Sequence, residues 1–205
     1  MDNLSVNVAT PQSPQALSLE QVLEHLAATF STLIISAHID RNHVVVQIDK
    51  AQVLPFFTEL KNDKKLQINA LMSVTGVDWM DSRDDRYEVV YHLLSMSTLA
   101  RLRVKAALPE HKPEVSTLTS LWHSANFMER EAWDMLGIVF TGHPDLRRIL
   151  MYDEFKGHPL RKDYPLQGKQ PRVALRYPEV ENTARQMVRS GLVAINKKKP
   201  SVEGV

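Results

Sequence analysis

The stretch from Glu129 to Leu166, EREAWDMLGIVFTGHPDLRRILMYDEFKGHPLRKDYPL, constrains this chain more than any other. It opens as the end of a helix and continues with few helix or strand signals. Gly-His-Pro occurs twice, at Gly142-His143-Pro144 and Gly157-His158-Pro159, and each copy leads into a basic pair, Arg147-Arg148 and Arg161-Lys162. Gly137, Gly142, Gly157 and Gly168 are four of the seven glycines, and five of the eleven prolines fall between the same Gly137 and Pro178. A stretch so rich in turn formers cannot build its own core, so it must lie on another surface.

Upstream, the pattern is that of a folded domain. Ser18 and Gln21 form a capping box, and Leu19, Val22, Leu23, Leu26 and Phe30 follow at helical spacing. Strands are predicted over 33–37 and 44–48, joined by a turn at Asp40-Arg41-Asn42. Asp49 can cap a second helix running to about Lys61, with Pro55 in its first turn. Three strands follow, over 69–77, 87–94 and 101–108. In the last, Arg101, Arg103 and Lys105 alternate with apolar residues and give one basic side. Ser116 to Leu136 reads as a third helix, striped by Leu118, Leu121, Trp122, Ala125, Met128, Ala132 and Leu136, with Gly137 as its stop.

This order predicts an α+β fold. A two-layer α-β-β-α-β-β-β domain places its helices on one face of a mostly antiparallel sheet, and a helix and a long extended C-terminal segment follow. The expected divisions are a mobile arm over 1–17, the α+β domain over 18–109, a helix plus partner-binding segment over 110–178 and a tail over 179–205. The domain ending near Pro109 is expected to fold without the rest. Glu181 to Val193 could form a weak helix.

Composition removes several functions. The chain has no cysteine, which excludes disulfides and covalent cysteine catalysis and argues against a protein-ligated iron–sulfur cluster or structural zinc. No Gly-rich nucleotide fingerprint, Gly-x-Ser-x-Gly or His-Glu-x-x-His is present. No apolar run approaches the roughly 18 residues of a membrane span. The first basic residue is Arg41, so neither a transit peptide nor a secretory signal is expected, and the chain should stay where it is made.

His143 and His158, with Asp145 and Asp153, could be drawn as metal ligands. Both histidines precede proline in turns, where an imidazole braces the loop, and that reading is preferred. His92 on a strand and His123 on a helix read as structural. From Thr141 to Arg176 there are eight basic residues against four acids. A nucleic-acid site would set those arginines on phosphates and stack Tyr152, Phe155 and Tyr164 on bases. Interleaved acids and arginine forks fit a protein interface better, with carboxylates as partners. Net charge is only +1. Arg130 and Asp134, one turn apart, can pair on the helix surface. Trp122, Phe127 and Trp133 spread over more than one face, so the helix should contact a second body.

These residues resemble a known family. Glu129-Arg130-Glu131, Asp134-Met135-Leu136-Gly137-Ile138, the run from Phe140 to Leu150 and the run from Gly157 to Leu166 are similar to the 30 kDa-type (C-type) subunit of the proton-translocating NADH:quinone oxidoreductase, respiratory complex I. Weaker matches lie at Val77-Asp78 and from Tyr91 to Ser95, and the resemblance spans about Leu19 to Gln170. Many members carry Tyr or Phe where this chain has Trp133 and Leu136. The resemblance implies a non-catalytic peripheral-arm subunit on the cytoplasmic side of a bacterial inner membrane. It implies no cofactor in this chain, with FMN and iron–sulfur clusters in partner subunits. It also implies docking on the large D-type subunit beside the quinone pocket and on neighbouring peripheral-arm subunits. Membrane association would run through partners. Relatives also occur in membrane-bound hydrogenases and ferredoxin-dependent complexes. The other class open to the sequence is an independent metal- or nucleic-acid-binding protein. The residues expected to bind the partner are Glu129, Arg130, Glu131, Asp134, His143, Asp145, Arg147, Arg148, His158, Arg161, Lys162, Asp163 and Tyr164.

Overall fold

The computed structural model describes residues 16–167 and Gln170. The expected weak helix over 181–193 and the terminal segments 1–15 and 171–205 lie outside the described residues.

Helix α1, Leu19–Thr29, starts at the capping box: the Ser18 hydroxyl accepts the Gln21 N–H, and the Gln21 side chain accepts the Ser18 N–H. Val22, Leu26 and the following Phe30 are buried. Strands β1, Ile34–Asp40, and β2, His43–Ile48, form a hairpin. Its two turn residues, Arg41 and Asn42, both take positive φ, the geometry that matches the twist of paired strands. The Asp49 carboxylate accepts the Ala51 N–H at 2.7 Å and opens a short 3-10 turn leading into α2, Val53–Asn62. Pro55 sits in the first turn of α2, where its missing N–H costs nothing.

Strands β3, Ala70–Asp78, β4, Tyr87–Leu94, and β5, Arg101–Leu108, complete a five-stranded sheet in the order β1-β2-β5-β4-β3. All neighbours are antiparallel except β2 and β5. The α+β architecture expected from the pattern is therefore present. One face of the sheet carries Tyr87, Val89, Tyr91 and Leu93 from β4, all but fully buried. The helices cover that face. A chain of edge-to-face rings runs Phe30–Phe56–Phe57 and on to both Tyr91 and Trp122, with centroids 4.9 to 6.1 Å apart.

Helix α3 covers Ala125–Leu136, nine residues shorter than the pattern predicted. Its expected first turns are occupied otherwise. Glu114–Ser116 forms strand β6, paired in parallel with β7, Val139–Thr141. Between β6 and α3 lie isolated turns around Leu118 and Trp122. The β-branched and hydroxyl residues Val115, Thr117 and Thr119 favour this local hydrogen bonding over continuous helix. Gly137 ends α3 as predicted, at φ 77°, with its N–H on the Trp133 carbonyl at 2.8 Å.

The core does not close at Pro109. Leu118, Trp122, Ala125, Met135, Ile138 and Phe140 belong to the same buried cluster as the sheet and the first two helices. Gly76 in β3 lets the chain approach closely: a Cβ there would collide with the terminal methyls of Leu136 and Ile138. A chain truncated after Pro109 would expose Tyr91, Phe57 and Val74 to water. It is expected to give a broad, non-cooperative thermal transition, whereas the full chain unfolds cooperatively. A sharp calorimetric peak from the truncated chain would contradict the shared core.

Candidate functional site

The segment after β7 lies on this chain's own third helix. Asp134 is the reason. It is fully buried near the end of α3. Its Oδ2 accepts the N–H groups of Ile149, Leu150 and Met151 at 3.1, 2.9 and 2.9 Å, and its Oδ1 accepts Arg148 Nη1 at 2.6 Å. Burial works against the charge, but these four donors win and hold the carboxyl below its usual range. Asp134 therefore does not pair with Arg130 as the one-turn spacing suggested. Arg130 instead donates to the carbonyls of Arg147 and Arg148 at 3.1 and 3.0 Å. Arg148 continues outward, donating to the carbonyls of Phe155 and Gly157 at 2.8 and 3.2 Å.

The second Gly-His-Pro copy closes the end of α3. The last four carbonyls of a helix have no partner within it. Here Trp133 O accepts the Gly137 N–H, Asp134 O accepts His158 Nδ1 at 3.0 Å, Met135 O accepts the Leu160 N–H at 3.0 Å and Leu136 O accepts Arg161 Nε at 2.6 Å. The Arg161 charge also suits the negative end of the helix dipole. Burial holds His158 below its usual pKa, which keeps the ring neutral with its Nδ1 proton on the carbonyl. The ring meets Trp133 edge-on, centroids 6.3 Å apart. The first copy does simpler work: His143 Nδ1 accepts the Asp145 N–H at 3.0 Å, so Nε2 carries the proton toward the Asn126 carbonyl at 3.2 Å.

A third tie runs to the sheet. Arg86, buried at the start of β4, grips Asp78 through Nε and Nη2 at 3.0 Å each, Glu110 at 2.6 Å and Asp163 at 2.7 Å. Asp78 also accepts the Lys162 N–H at 2.9 Å. Burial opposes the Asp78 charge, yet the Arg86 fork and the N–H groups of Lys162 and Met80 bring its pKa down to about 2. Sequence pattern does not single out Arg86 or Thr117. The carboxylates on Arg86 lie 8, 24 and 77 residues away and the one on Thr117 lies 12 away, separations that local pattern does not report.

Of the thirteen residues expected to face a partner, the structure uses Arg130, Asp134, His143, Arg148, His158 and Arg161 inside the chain. Glu129 is fully buried, accepting the Thr117 hydroxyl at 2.5 Å and the Leu118 N–H at 2.8 Å. Asp163 is held by Arg86, and Tyr164 stacks on Phe155 at 5.9 Å. Glu131, Asp145, Arg147 and Lys162 are exposed, with Arg147 71% exposed and paired to Asp145 at 2.9 Å. Phe127, Leu150, Tyr152, Leu160 and Leu166 are exposed apolar side chains of α3 and the segment after it. Among the described residues no group of three or more His, Cys, Asp or Glu could hold a metal ion. The arrangement can bind a protein surface.

The comparisons follow the same residues. The family model described as respiratory-chain NADH dehydrogenase, 30 kDa subunit, matches residues 46–170. The C subunit of NADH-quinone oxidoreductase from Roseiflexus sp. (strain RS-1) is 43% identical over 151 residues, covering 74% of this chain and 86% of the relative. That of Moorella thermoacetica is 46% identical over 149 residues, covering 73% and 97%. A solved trypsin-resistant fragment of Nqo5 superposes with a TM-score of 0.54 at 33% identity, over 63% of this chain and all of the fragment. A chain of the archaeal membrane-bound sulfane sulfur reductase shares the fold, with a TM-score of 0.63 at 17% identity over 91% of this chain and 98% of its own.

Glu129 generates a pH test. Burial raises its pKa from 4.5 to about 7, against the pull of its two donors. The folded state thus holds this proton more tightly than the unfolded chain. Its stabilising contribution is complete below pH 4.5 and is lost as pH rises through 7. The loss amounts to roughly 3 kcal/mol at about 1.4 kcal/mol per pKa unit. Urea unfolding at pH 5 and pH 8 should show this fall in the wild type and not in Glu129→Gln. Equal falls in both proteins would contradict the assignment.

Proposed function

The chain belongs to the 30 kDa subunit family of the respiratory-chain NADH dehydrogenase, and from that membership we propose its place in the complex. It is a non-catalytic subunit of the peripheral arm of NADH:quinone oxidoreductase, supporting electron transfer from NADH to quinone without touching either. It docks on the large quinone-site subunit at the cytoplasmic face of a bacterial inner membrane. No helix of the described residues is long and apolar enough to cross a membrane, and in this reading attachment runs through companions. FMN and the iron–sulfur clusters reside in those companions.

One observation carries this reading. The family match runs through both Gly-His-Pro segments, and these build a rigid strap on α3 rather than a reactive site. The residues that meet the large subunit are the exposed members of the strap, Arg147 and Lys162 with Leu150 and Leu160 beside them. Arg148 and Arg161 hold the strap and reach the partner only through it.

The test is recovery of the tagged chain from detergent-solubilised membranes. Flavin- and cluster-bearing companions should come with it. Arg147→Glu with Lys162→Glu should leave the unfolding temperature of the isolated chain unchanged and reduce that recovery. Surface charges contribute about 0–1 kcal/mol to folding, so the isolated chain has little to lose. A wild-type chain recovered alone would contradict the function. A double variant recovered in full complex would contradict the assignment of these two residues.

A further inference from the structure

The strap leaves another surface of the described residues uncovered. β3 is an outer strand of the sheet, and among the described residues it is paired to β4 alone. Edge strands are commonly guarded by charged side chains, proline, a β-bulge or a covering element. From Ala70 to Val77 this edge carries no charge and no proline, and one register shift between Leu71 and Ser73 is its single irregularity.

Helix α3 meets the sheet mainly at β3, not at its centre. It therefore forms a shelf beside the open edge. A groove of roughly 240 Å³ lies between them. Residues 72–76 line it from the strand, Met128, Glu131 and Met135 from the helix, and Leu160 from the strap. Side chains of a strand alternate between faces, so a groove touching five consecutive residues runs along the backbone edge. Met72 and Leu160 are 56% and 61% exposed. Among the described residues Glu131 is the one charged side chain lining the groove, and it is exposed.

We propose that a companion protein of the complex adds an extended strand along the edge of β3, resting apolar side chains on Met128 and Met135 and setting a basic side chain against Glu131. This inference rests on the functional reading above. Main-chain hydrogen bonds to β3 supply the affinity, and the shelf selects alternate side chains. A second copy of this chain fits poorly. Its own β3 carries a single charged residue, Asp78, and brings no cation to Glu131.

The test uses the full chain as wild type, Met72→Glu and Glu131→Lys. Both positions are exposed, so unfolding temperatures of the isolated variants should match the wild type. Recovery of companions from solubilised membranes should fall about tenfold or more in each. Hydrogen exchange at the outward amides of residues 72–76 should slow on passing from the isolated chain to the complex. If the wild type brings no companions, the functional reading fails and takes this proposal with it. If the wild type brings companions, both variants bring as many and exchange is unchanged, strand addition alone is refuted. Concentration-dependent dimers of the isolated chain that vanish in Met72→Glu would assign the edge to a second copy and overturn the proposal.

Discussion

A buried carboxylate organises the second half of this molecule. An ionised group with no exposure costs several kcal/mol unless donors surround it. Asp134 meets that demand with three consecutive N–H groups and the Arg148 guanidinium. The demand fixes the backbone from Ile149 to Met151. Arg148, once placed, fixes the carbonyls of Phe155 and Gly157, and Gly157 brings His158 and Arg161 onto the last carbonyls of α3. A segment with almost no periodicity thus acquires one conformation chiefly from polar groups, with ring contacts at His158 and Tyr164 beside them. The apolar half of the chain works differently, through ring packing and the close approach at Gly76.

The division explains what the sequence could disclose. Periodicity reports burial against a surface, so the two N-terminal helices and five sheet strands were legible, with some of their ends displaced by one to four residues. The hairpin turn at Asp40-Arg41-Asn42 was legible from its Asp and Asn, and the stop at Gly137 because glycine takes a positive φ without steric cost. The start of α3 was not. Leu118 and Trp122 are buried at helical spacing because one isolated turn joins them, with the Trp122 N–H on the Leu118 carbonyl, while the Thr117 hydroxyl and the Leu118 N–H are given to Glu129. The apolar stripe reads the same either way. The need of the Gly-His-Pro stretch for a surface was also legible; the identity of that surface was not. Arg148 paired with Asp134 and Arg161 on Leu136 O span 14 and 25 residues, distances at which local pattern carries no signal.

A strap fixed from within changes how the family's role is served. Arginines that would be flexible contacts are committed to the fold, and what remains outside is a firm surface of apolar side chains and a few charges. Binding to such a surface loses little conformational entropy. That suits the docking role proposed above.

Amide hydrogen exchange at Ile149, Leu150 and Met151 tests this account most directly. If Asp134 organises the strap, these three amides in the isolated chain exchange as slowly as those of the sheet, and Asp134→Asn releases all three together. Exchange at the rate of an exposed loop in the wild type would show that the strap is not fixed from within and takes its conformation from a partner.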